Sequence, residues 1–262
     1  MTYRQIDASR KEWVQRVRSS LGAQGYYYEP EFSAKTDDAE PLVTAARLLG
    51  HLYVPSHFNP GQPVILTQPS PSATEWRPFD RRKAIGWHND FSTRVKRPEL
   101  TLSWIRQGDP SGPSGGAWRI ASVSALLSKL NQTREGKKLI TELSHKAEPF
   151  GYRDAGGWRL FRIIVRTNLR LRHPGLRFYG RALEEGALLR FGQVPERTCE
   201  IIAQLEEAAD AVGEVLTAST GALLIVDNRL SLHDRTEQQV TGPKELRRQA
   251  WLCFVKQLYQ PL

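Results

Sequence analysis

The chain has 262 residues and a formal net charge of +9, with a sequence isoelectric point near 9.7. This length suits one large domain with a sizeable core, and the sequence contains no apolar run of the roughly eighteen residues that a membrane span needs. The N-terminal segment lacks the apolar stretch of a secretory signal. Cys199 and Cys253 lie too far apart for a CxxC motif and are expected to be free thiols. We therefore expect a single cytoplasmic domain over residues 1–262.

The positive charge is spread along the chain and is not gathered in a tail. Arginines recur singly among apolar residues from Arg153 to Arg190, and the alternation in "LFRIIVRTNLRLR" is typical of strands with one basic face. Two interpretations stay open: a solvated face, or a face that binds an anion such as a carboxylated small molecule, an acidic carrier protein or nucleic acid. No zinc-finger, RNP or helix-turn-helix pattern favours nucleic acid. Arg166 is our candidate substrate-binding residue within this segment.

The predicted elements begin with helices and continue with strands. Residues 9–22 and 38–50 have the spacing of amphipathic helices, so that residues 1–60 form a predicted helical flank. Further helices are predicted at "SVSALLSKL" and "PERTCEIIAQLEEAADAV". Strands are predicted at "PVIL", at the alternating "ELTLSWIRQ", and at two continuous apolar runs, "ALLIVDN" and "AWLCFVKQL", which are typical of strands buried on both faces.

This order of elements selects the fold class. No regular βαβ alternation, GxGxxG or P-loop occurs, so a doubly wound nucleotide-binding sheet is disfavoured. The pattern favours a mainly β fold with flanking helices (α+β), in which a β-sandwich or jelly roll with helical insertions occupies residues 61–262.

Residues 86–92, "GWHNDFS", place an imidazole and a carboxylate two positions apart. On a strand, His88 and Asp90 would project from the same face, with Trp87 and Phe91 on the opposite one. Such a pair alone is weak support for a metal site. His233 follows an apolar strand and a predicted hairpin that would carry it to the mouth of a sandwich. Two imidazoles and one carboxylate on one face of a metal form the facial triad of non-haem Fe(II) oxygenases, which leaves three positions open.

A pair of arginines begins the last apolar strand. Arg247 lies fourteen residues after His233, and Arg248 follows it. A chelating oxo-acid needs a partner for its far carboxylate, and the planar fork of arginine binds carboxylate with two hydrogen bonds. The alternative is that one arginine is exposed and the other pairs with a nearby carboxylate such as Glu245.

The HxD pair, the "DNRLSLHDR" segment and "RRQAWL", in this order, resemble the Fe(II)/2-oxoglutarate-dependent oxygenases, within them the taurine dioxygenase and clavaminate synthase-like group. The resemblance is best over residues 85–122 and 221–255. It implies a double-stranded β-helix, which is a distorted, cupin-like jelly roll. It implies the ligands of Fe(II) and the partner of the distal carboxylate of 2-oxoglutarate: His88, Asp90 and His233 for the metal, Arg247 for the carboxylate, with Arg248 as second choice.

Two positions depart from the family pattern. "SGGAW" places Trp118 where family members often have a threonine that touches 2-oxoglutarate, so the co-substrate contact at Trp118 differs. Asp234 replaces the glycine that usually follows the distal histidine. Its carboxylate would reach substrate, act behind the metal ligand or face solvent. Arg235 keeps the arginine of the family's "HxR" and is a candidate for orienting that loop or contacting substrate.

The resemblance implies oxidation by O₂ with 2-oxoglutarate as co-substrate and release of succinate and CO₂. Asp90 argues against halogenation, because related halogenases lack this carboxylate. Hydroxylation of an amino-acid-like or carboxylated small molecule of specialised metabolism is the expected reaction, while desaturation, cyclisation and epimerisation stay open. The alternatives are a nucleic-acid-directed oxygenase or basic binding module, and a catalytically silent jelly-roll binding protein. The sequence is compatible with a homo-oligomer.

Overall fold

The structure is a computed structural model that describes residues 3–33, 38–55, 61–71, 80–152, 157–165, 174–240 and 242–258. The helices are α1 (Tyr3–Gln24), α2 (Glu40–Leu49), α3 (Val123–Leu130), α4 (Arg134–His145), α5 (Gly180–Phe191) and α6 (Glu196–Val212). The strands are β1 (Tyr26–Glu29), β2 (Gly50–Tyr53), β3 (Val64–Thr67), β4 (Leu100–Gln107), β5 (Trp118–Ser122), β6 (Ala147–Tyr152), β7 (Gly157–Arg162), β8 (Ile164–Val165), β9 (Gly175–Leu176), β10 (Glu214–Leu216), β11 (Leu223–Asp227), β12 (Ser231–Arg235) and β13 (Gln249–Leu258). None of these helices combines the length and the apolar character needed to cross a membrane.

Two antiparallel sheets pack against each other. The larger sheet has the order β1-β11-β4-β13-β2, with β3 also paired to β13, and the smaller sheet has the order β10-β5-β12. An apolar layer between them draws residues from both sheets, and its members are at most 6 % exposed. Among them are Ile105, Trp118, Ile120, Leu224 and Ala250. Burying each large side chain there contributes roughly 1.5–3 kcal/mol.

Helices cover the outer faces of both sheets. Val17 of α1 and Leu42 of α2 pack against Leu102 and Cys253 of the larger sheet. On the other side, α3 to α6 cover the smaller sheet, where Leu232 lies in a second buried cluster. The described chain is therefore layered as helices, large sheet, small sheet and helices, which places the apolar stripe of each element against a neighbour.

Most predicted elements are present with shifted ends. The continuous apolar runs are β11 and β13, and each has neighbours on both sides within the larger sheet. The N-terminal 60 residues are not only helical, because β1 pairs with β11 and β2 pairs with β13. Helices α4 and α5 were not predicted from the sequence. The sequence does contain an N-cap residue for α4, Thr133, whose Oγ1 accepts a hydrogen bond from the N–H of Gly136 at 3.0 Å.

The predicted hairpin before His233 is wrong. Strand β11 lies between β1 and β4, so no edge of it is left for β12 to pair with. Strand β12 pairs with β5 in the smaller sheet instead. The turn at residues 228–230 therefore carries the chain from one sheet to the other, and this crossing brings His233 to the space between the sheets.

Candidate metal centre

His88, Asp90 and His233 converge where the two sheets meet. Each offers one ligand atom, and the three atoms all lie within 4.8 Å of one another. His88 Nε2 is 3.7 Å from Asp90 Oδ1, and His233 Nε2 is 3.4 Å from Asp90 Oδ2. The described part of the chain contains no other group of three histidine, cysteine or acidic side chains with this spacing. The predicted clustering of these three residues is confirmed.

The backbone holds the two histidines side by side. The N–H of His88 donates to the carbonyl of His233 at 3.0 Å, and the N–H of His233 donates to the carbonyl of His88 at 2.9 Å. Asn89, which is buried and lies between His88 and Asp90 in the sequence, ties this segment to the neighbouring segments on both sides. Its Nδ2 donates to the Ser231 carbonyl at 2.7 Å, and its Oδ1 accepts from the N–H of Phe178 at 2.8 Å.

Asp90 reaches the site by a route other than the predicted strand. The chain forms a bridge only at His88 and then turns at residues 90–93, where Phe91 has a φ of +55°. The Asp90 N–H donates to Asn228 Oδ1 at 3.3 Å, and Thr101 Oγ1 donates to Asp90 Oδ2 at 2.6 Å. Asn228 Nδ2 also donates to Thr101 Oγ1 at 2.9 Å. The regular-strand prediction is therefore wrong, and a turn held by Thr101 and Asn228 sets the carboxylate beside the imidazole.

The electrostatics of the cluster suit a cation. Burial, and after it the neighbouring His233, lowers the pKa of His88 to about 4, so this imidazole is neutral at pH 7. Burial acts to raise the pKa of Asp90, but the imidazole of His233 and the hydrogen bonds from His233 and Thr101 outweigh it and hold that pKa well below its usual range. An ionised carboxylate thus faces a neutral imidazole, which is the donor set of a divalent metal.

The tautomer of His88 points its lone pair at the cluster. His88 Nδ1 lies 2.8 Å from the carbonyl of Gly86. Because a carbonyl only accepts, Nδ1 carries the proton and Nε2 keeps a free lone pair beside Asp90. A histidine that binds a metal is usually fixed in this way by a partner on its other nitrogen. His233 Nδ1 is buried and has no partner in the described residues.

Asp234 supports this arrangement from the opposite face of β12. The side chain is 2 % exposed, and its Oδ1 accepts hydrogen bonds from the N–H groups of Ile85 and Gly86, both at 3.0 Å. Arg119 Nη1 donates to the other oxygen at 3.2 Å. Gly86 is the residue whose carbonyl fixes His88. Of the roles considered from the sequence, this position favours the one behind the metal ligand.

Trp87 points away from the metal ligands, as predicted. Its ring is buried in the helical layer. Its Nε1 donates to Asp210 Oδ1 at 2.8 Å, and the guanidinium of Arg119 lies 4.6 Å from the ring centroid. Phe91 does not point into the helical layer with Trp87; its ring packs against aromatic rings of the larger sheet.

Arg248 is buried and directly precedes β13. It is 4 % exposed and lies two residues before Ala250, which belongs to the layer between the sheets. Gly116, with a φ of +62°, makes room for it. A Cβ at Gly116 would lie 2.6 Å from Arg248 Cδ and 2.8 Å from its Nε, so a side chain there would displace the arginine.

Arg248 Nε is buried and has no hydrogen-bond partner among the described residues, which is also true of the Nε atoms of Arg235 and Arg247. Burial, and after it the charge of Arg235, lowers the pKa of Arg248 to about 9. Asp109 acts in the opposite direction, but its carboxylate already accepts from the backbone of Ser111 at 2.9 Å and of Gln239 at 2.8 Å. A buried cation without a paired anion is costly, so this position fits the carboxylate of a bound ligand.

The other two candidate arginines are held by backbone carbonyls. Arg247 donates to the carbonyls of Pro69 at 3.2 Å and Gly242 at 2.9 Å. Neither it nor Arg248 forms an ion pair with Glu245 in the described residues. Arg235 donates to the carbonyls of Arg81, Arg82 and Thr236. Trp118, opposite Arg235 in the smaller sheet, is buried in the apolar layer and stacks edge-on with Tyr28.

No family model and no curated protein matches the chain, whereas several solved structures do. An asparagine oxygenase in complex with Fe(II), 2S,3S-3-hydroxyasparagine and succinate superposes with a TM-score of 0.75 at 19 % identity, covering 95 % of this chain and 79 % of that one. The non-heme iron oxygenase OrfP in complex with Fe and alpha-ketoglutaric acid gives 0.68 at 13 % identity over 95 % and 80 %. PvcB from Pseudomonas aeruginosa gives 0.65 at 18 % identity over 92 % and 79 %.

This chain has the fold of the non-heme iron oxygenases. The resemblance seen in the sequence is thus confirmed at the level of the fold, and so is the expected mixture of helices and antiparallel sheet.

Several residues that serve the site in this oxygenase fold were missed in the sequence. Thr101 sits in an alternating strand, and alternation indicates a face without indicating which residue on it contacts a ligand. Asn228 belongs to the "DNR" segment, yet its contact with Asp90 joins residues far apart in the chain.

The candidate substrate-binding residue Arg166 lies outside the described residues. Of the same basic segment, Arg162 is exposed on β7, whereas Arg177 is buried.

Proposed function

We propose that the protein is an Fe(II)- and 2-oxoglutarate-dependent dioxygenase that hydroxylates a C–H bond of an amino-acid-like or carboxylated small molecule. The observation that carries the proposal is the meeting of His88, Asp90 and His233 within 4.8 Å, in the fold of iron oxygenases. In this proposal the two sheets form the distorted jelly roll, and residues 1–262 act as one oxygenase domain. A cytoplasmic location is part of the proposal and is supported by the two free cysteines.

The reaction balances as one substrate C–H bond, O₂ and 2-oxoglutarate giving the hydroxylated substrate, succinate and CO₂. One oxygen atom enters the product and the other enters succinate. Amino acids as substrates are supported by the ligands of the similar structures, which are 3-hydroxyasparagine in the asparagine oxygenase and (3S)-hydroxy-L-Arg in OrfP.

The residues of this chain have separate roles in the proposed reaction. His88 Nε2, the Asp90 carboxylate and the His233 imidazole would hold Fe(II) on one face. Bound Fe(II) would supply the oxidative chemistry, with 2-oxoglutarate and O₂ as co-substrates. Thr101 and Asp234 keep the ligands oriented through the hydrogen bonds described above. Support of this kind is worth about 10–100-fold in metal affinity.

We assign the distal carboxylate of 2-oxoglutarate to Arg248, in place of the Arg247 that the family spacing favoured. Arg248 is buried and lacks an anionic partner in the described residues, and a bidentate carboxylate would compensate its charge. The guanidinium of Arg247 already has two carbonyl partners. Trp118 then provides apolar surface beside the co-substrate, and Arg235 orients the loop at residues 81–82.

The test is the visible charge-transfer band that Fe(II) and 2-oxoglutarate produce together under anaerobic conditions. We expect the band in the wild type and its loss in His88→Ala. Arg248→Met should weaken 2-oxoglutarate binding by about 30-fold or more, since loss of a buried charge partner costs about 2–5 kcal/mol. Arg247→Met is the matched control and should change binding less than about 3-fold.

Each result has a distinct meaning. A wild type without the band would refute the oxygenase proposal. A band that survives His88→Ala would refute the ligand assignment. If Arg247→Met weakens 2-oxoglutarate binding and Arg248→Met does not, the co-substrate is held as the family spacing predicts.

A further inference from the structure

A second pair of arginines borders the turn that follows Asp90. Arg177 is 9 % exposed, and its Nη1 donates to the carbonyls of Ser92 at 2.6 Å and Arg94 at 2.8 Å. Arg97 Nη2 donates to the carbonyl of Leu176 at 3.2 Å, and its Nη1 is buried without a partner in the described residues. Backbone carbonyls position both guanidinium groups, and neither forms an ion pair with a carboxylate in the described part of the chain.

The carboxylates nearby are already engaged. Arg229 donates to both oxygens of Asp227, at 2.9 and 2.6 Å, and lies 3.6 Å from Glu99. Together with Arg97 and Arg177, the described residues here comprise three guanidinium groups and two carboxylates, which leaves a net positive charge in a largely buried place. Burial, followed by the charge of Arg177, lowers the pKa of Arg97 to about 9. An anion bound here would relieve that imbalance.

The segment that contains Arg177 runs beside the metal-ligand cluster. Tyr179 forms a bridge with His88, and the two rings are 5.5 Å apart. Phe178 is buried in the helical layer, and Tyr179 packs against the edge of the same layer. By the alternation of extended residues Arg177 lies on the side of Tyr179, and its guanidinium covers the ring of Phe161 at 4.0 Å from the centroid. Its hydrogen bonds to the carbonyls of Ser92 and Arg94 place it beside the turn that follows Asp90.

An aromatic row lies against the same turn. Phe254 stands opposite Thr101 on one side and Tyr53 on the other in the larger sheet, and cross-strand partners share a face. Thr101 is the residue that bonds Asp90. The Phe91 ring is 5.1 Å from that of Phe254 and 5.4 Å from that of Tyr53. A bulky residue rarely adopts the left-handed φ of Phe91, so this packing keeps the ring in place against backbone preference.

We propose that Arg97 and Arg177 bind the carboxylate of the substrate, while Tyr53, Phe91 and Phe254 receive its apolar side chain. The inference rests on the proposed function and names the substrate class of that site. The substrate is an amino acid, or a related carboxylic acid, with an aromatic or branched apolar side chain. Its C–H bond, O₂ and 2-oxoglutarate become the hydroxy acid, succinate and CO₂.

The first test uses binding to the anaerobic protein loaded with Fe(II) and 2-oxoglutarate. The probes are L-phenylalanine and L-leucine, their counterparts without the carboxylate (phenethylamine and 3-methylbutylamine), and L-asparagine. The change that each causes in the charge-transfer band gives its Kd. We expect L-phenylalanine or L-leucine to bind at least about 10-fold more tightly than its amine and than asparagine, since a charge-assisted pair is worth about 1.5–3 kcal/mol. Aerobic succinate release and a hydroxylated product should follow the same order.

Variants separate the two parts of the site. Arg97→Gln and Arg177→Gln should each weaken binding of the acid by about 10-fold or more and leave the amine unaffected. Arg162→Gln, an exposed arginine of β7, is the matched control and should bind like the wild type. If a glutamine variant does not fold, the lysine variant keeps the charge without the fork and should bind the acid with intermediate affinity. Phe91→Gly removes the ring without disturbing the left-handed backbone and should abolish the preference for phenylalanine over asparagine.

The failures are distinguishable. If the band forms but no acid perturbs it, if amines bind as well as acids, or if both arginine variants bind like the wild type, the inference is overturned and the proposed function stands. If the wild type gives no band, the proposed function itself has failed.

Discussion

Replacing Gly116 by alanine tests the role of Arg248 without removing any charge. Gly116 has a φ of +62°, and alanine in that conformation costs about 1–2 kcal/mol of stability. The new Cβ would lie 2.6 Å from Arg248 Cδ. Non-bonded carbon atoms prefer about 3.5–4.0 Å, so the arginine must move by about 1 Å. A displacement of that size is enough to spoil a two-hydrogen-bond contact with a carboxylate.

We expect Gly116→Ala to weaken the binding of 2-oxoglutarate by about 10–100-fold, because a displacement of about 1 Å in a precisely positioned site costs about that much. Fe(II) affinity should not change, since no ligand is touched. Anaerobic titration of the charge-transfer band measures both affinities, and denaturant unfolding measures the free energy of unfolding.

Gly112→Ala is the matched control in the same loop. Gly112 has a φ of +106°, and a Cβ there meets nothing within 4 Å, so this variant carries the backbone strain alone. It should lose stability and keep its 2-oxoglutarate affinity. Equal 2-oxoglutarate affinities in the two alanine variants would refute Arg248 as the carboxylate partner.

Three further outcomes follow from buried groups. Asp234→Ala leaves two N–H groups without an acceptor and should weaken Fe(II) binding about 10–100-fold by releasing the support of His88; unchanged metal affinity would contradict this role. Burial, and after it Asp210, raises the pKa of Glu206, so the folded state holds that proton more tightly than the unfolded state. Stability from this group is therefore present at low pH and lost as pH rises, and Glu206→Gln should raise the melting temperature at pH 8 but not below about pH 4. A thiol reagent should label one exposed cysteine, Cys199, in the native protein and reach Cys253 only after unfolding, since burial raises the pKa of Cys253 to about 12.

The sequence predicts what depends on patterns within one segment. The apolar runs at β11 and β13 identified two strands with neighbours on both sides, because burial on both faces leaves no position for a polar residue. The order of His88, Asp90 and His233 identified the cluster that the structure brings together. Features that depend on register between distant segments were not accessible in this way.

The choice between Arg247 and Arg248 illustrates this limit. Adjacent residues entering a strand point to opposite sides, so a shift of one position decides which arginine is buried. The shift is set by a short 3-10 turn at Lys244–Leu246 and by a register irregularity where Gln249 and Ala250 pair with β4. Neither feature has a signature in the local sequence. The same applies to Arg177, which nothing in the arginine run distinguishes from its exposed neighbours.

The crossing of the chain between β11 and β12 has a consequence for the stability of the protein in the cell. His233 belongs to the smaller sheet, whereas Asp90 is tied through Thr101 to the larger one. In the proposed oxygenase, one iron ion therefore crosslinks the two sheets at the mouth of the site. Binding at 100 times the dissociation constant adds about 2.7 kcal/mol to the free energy of unfolding. Iron supply would then govern both the active fraction of the enzyme and its survival against proteolysis.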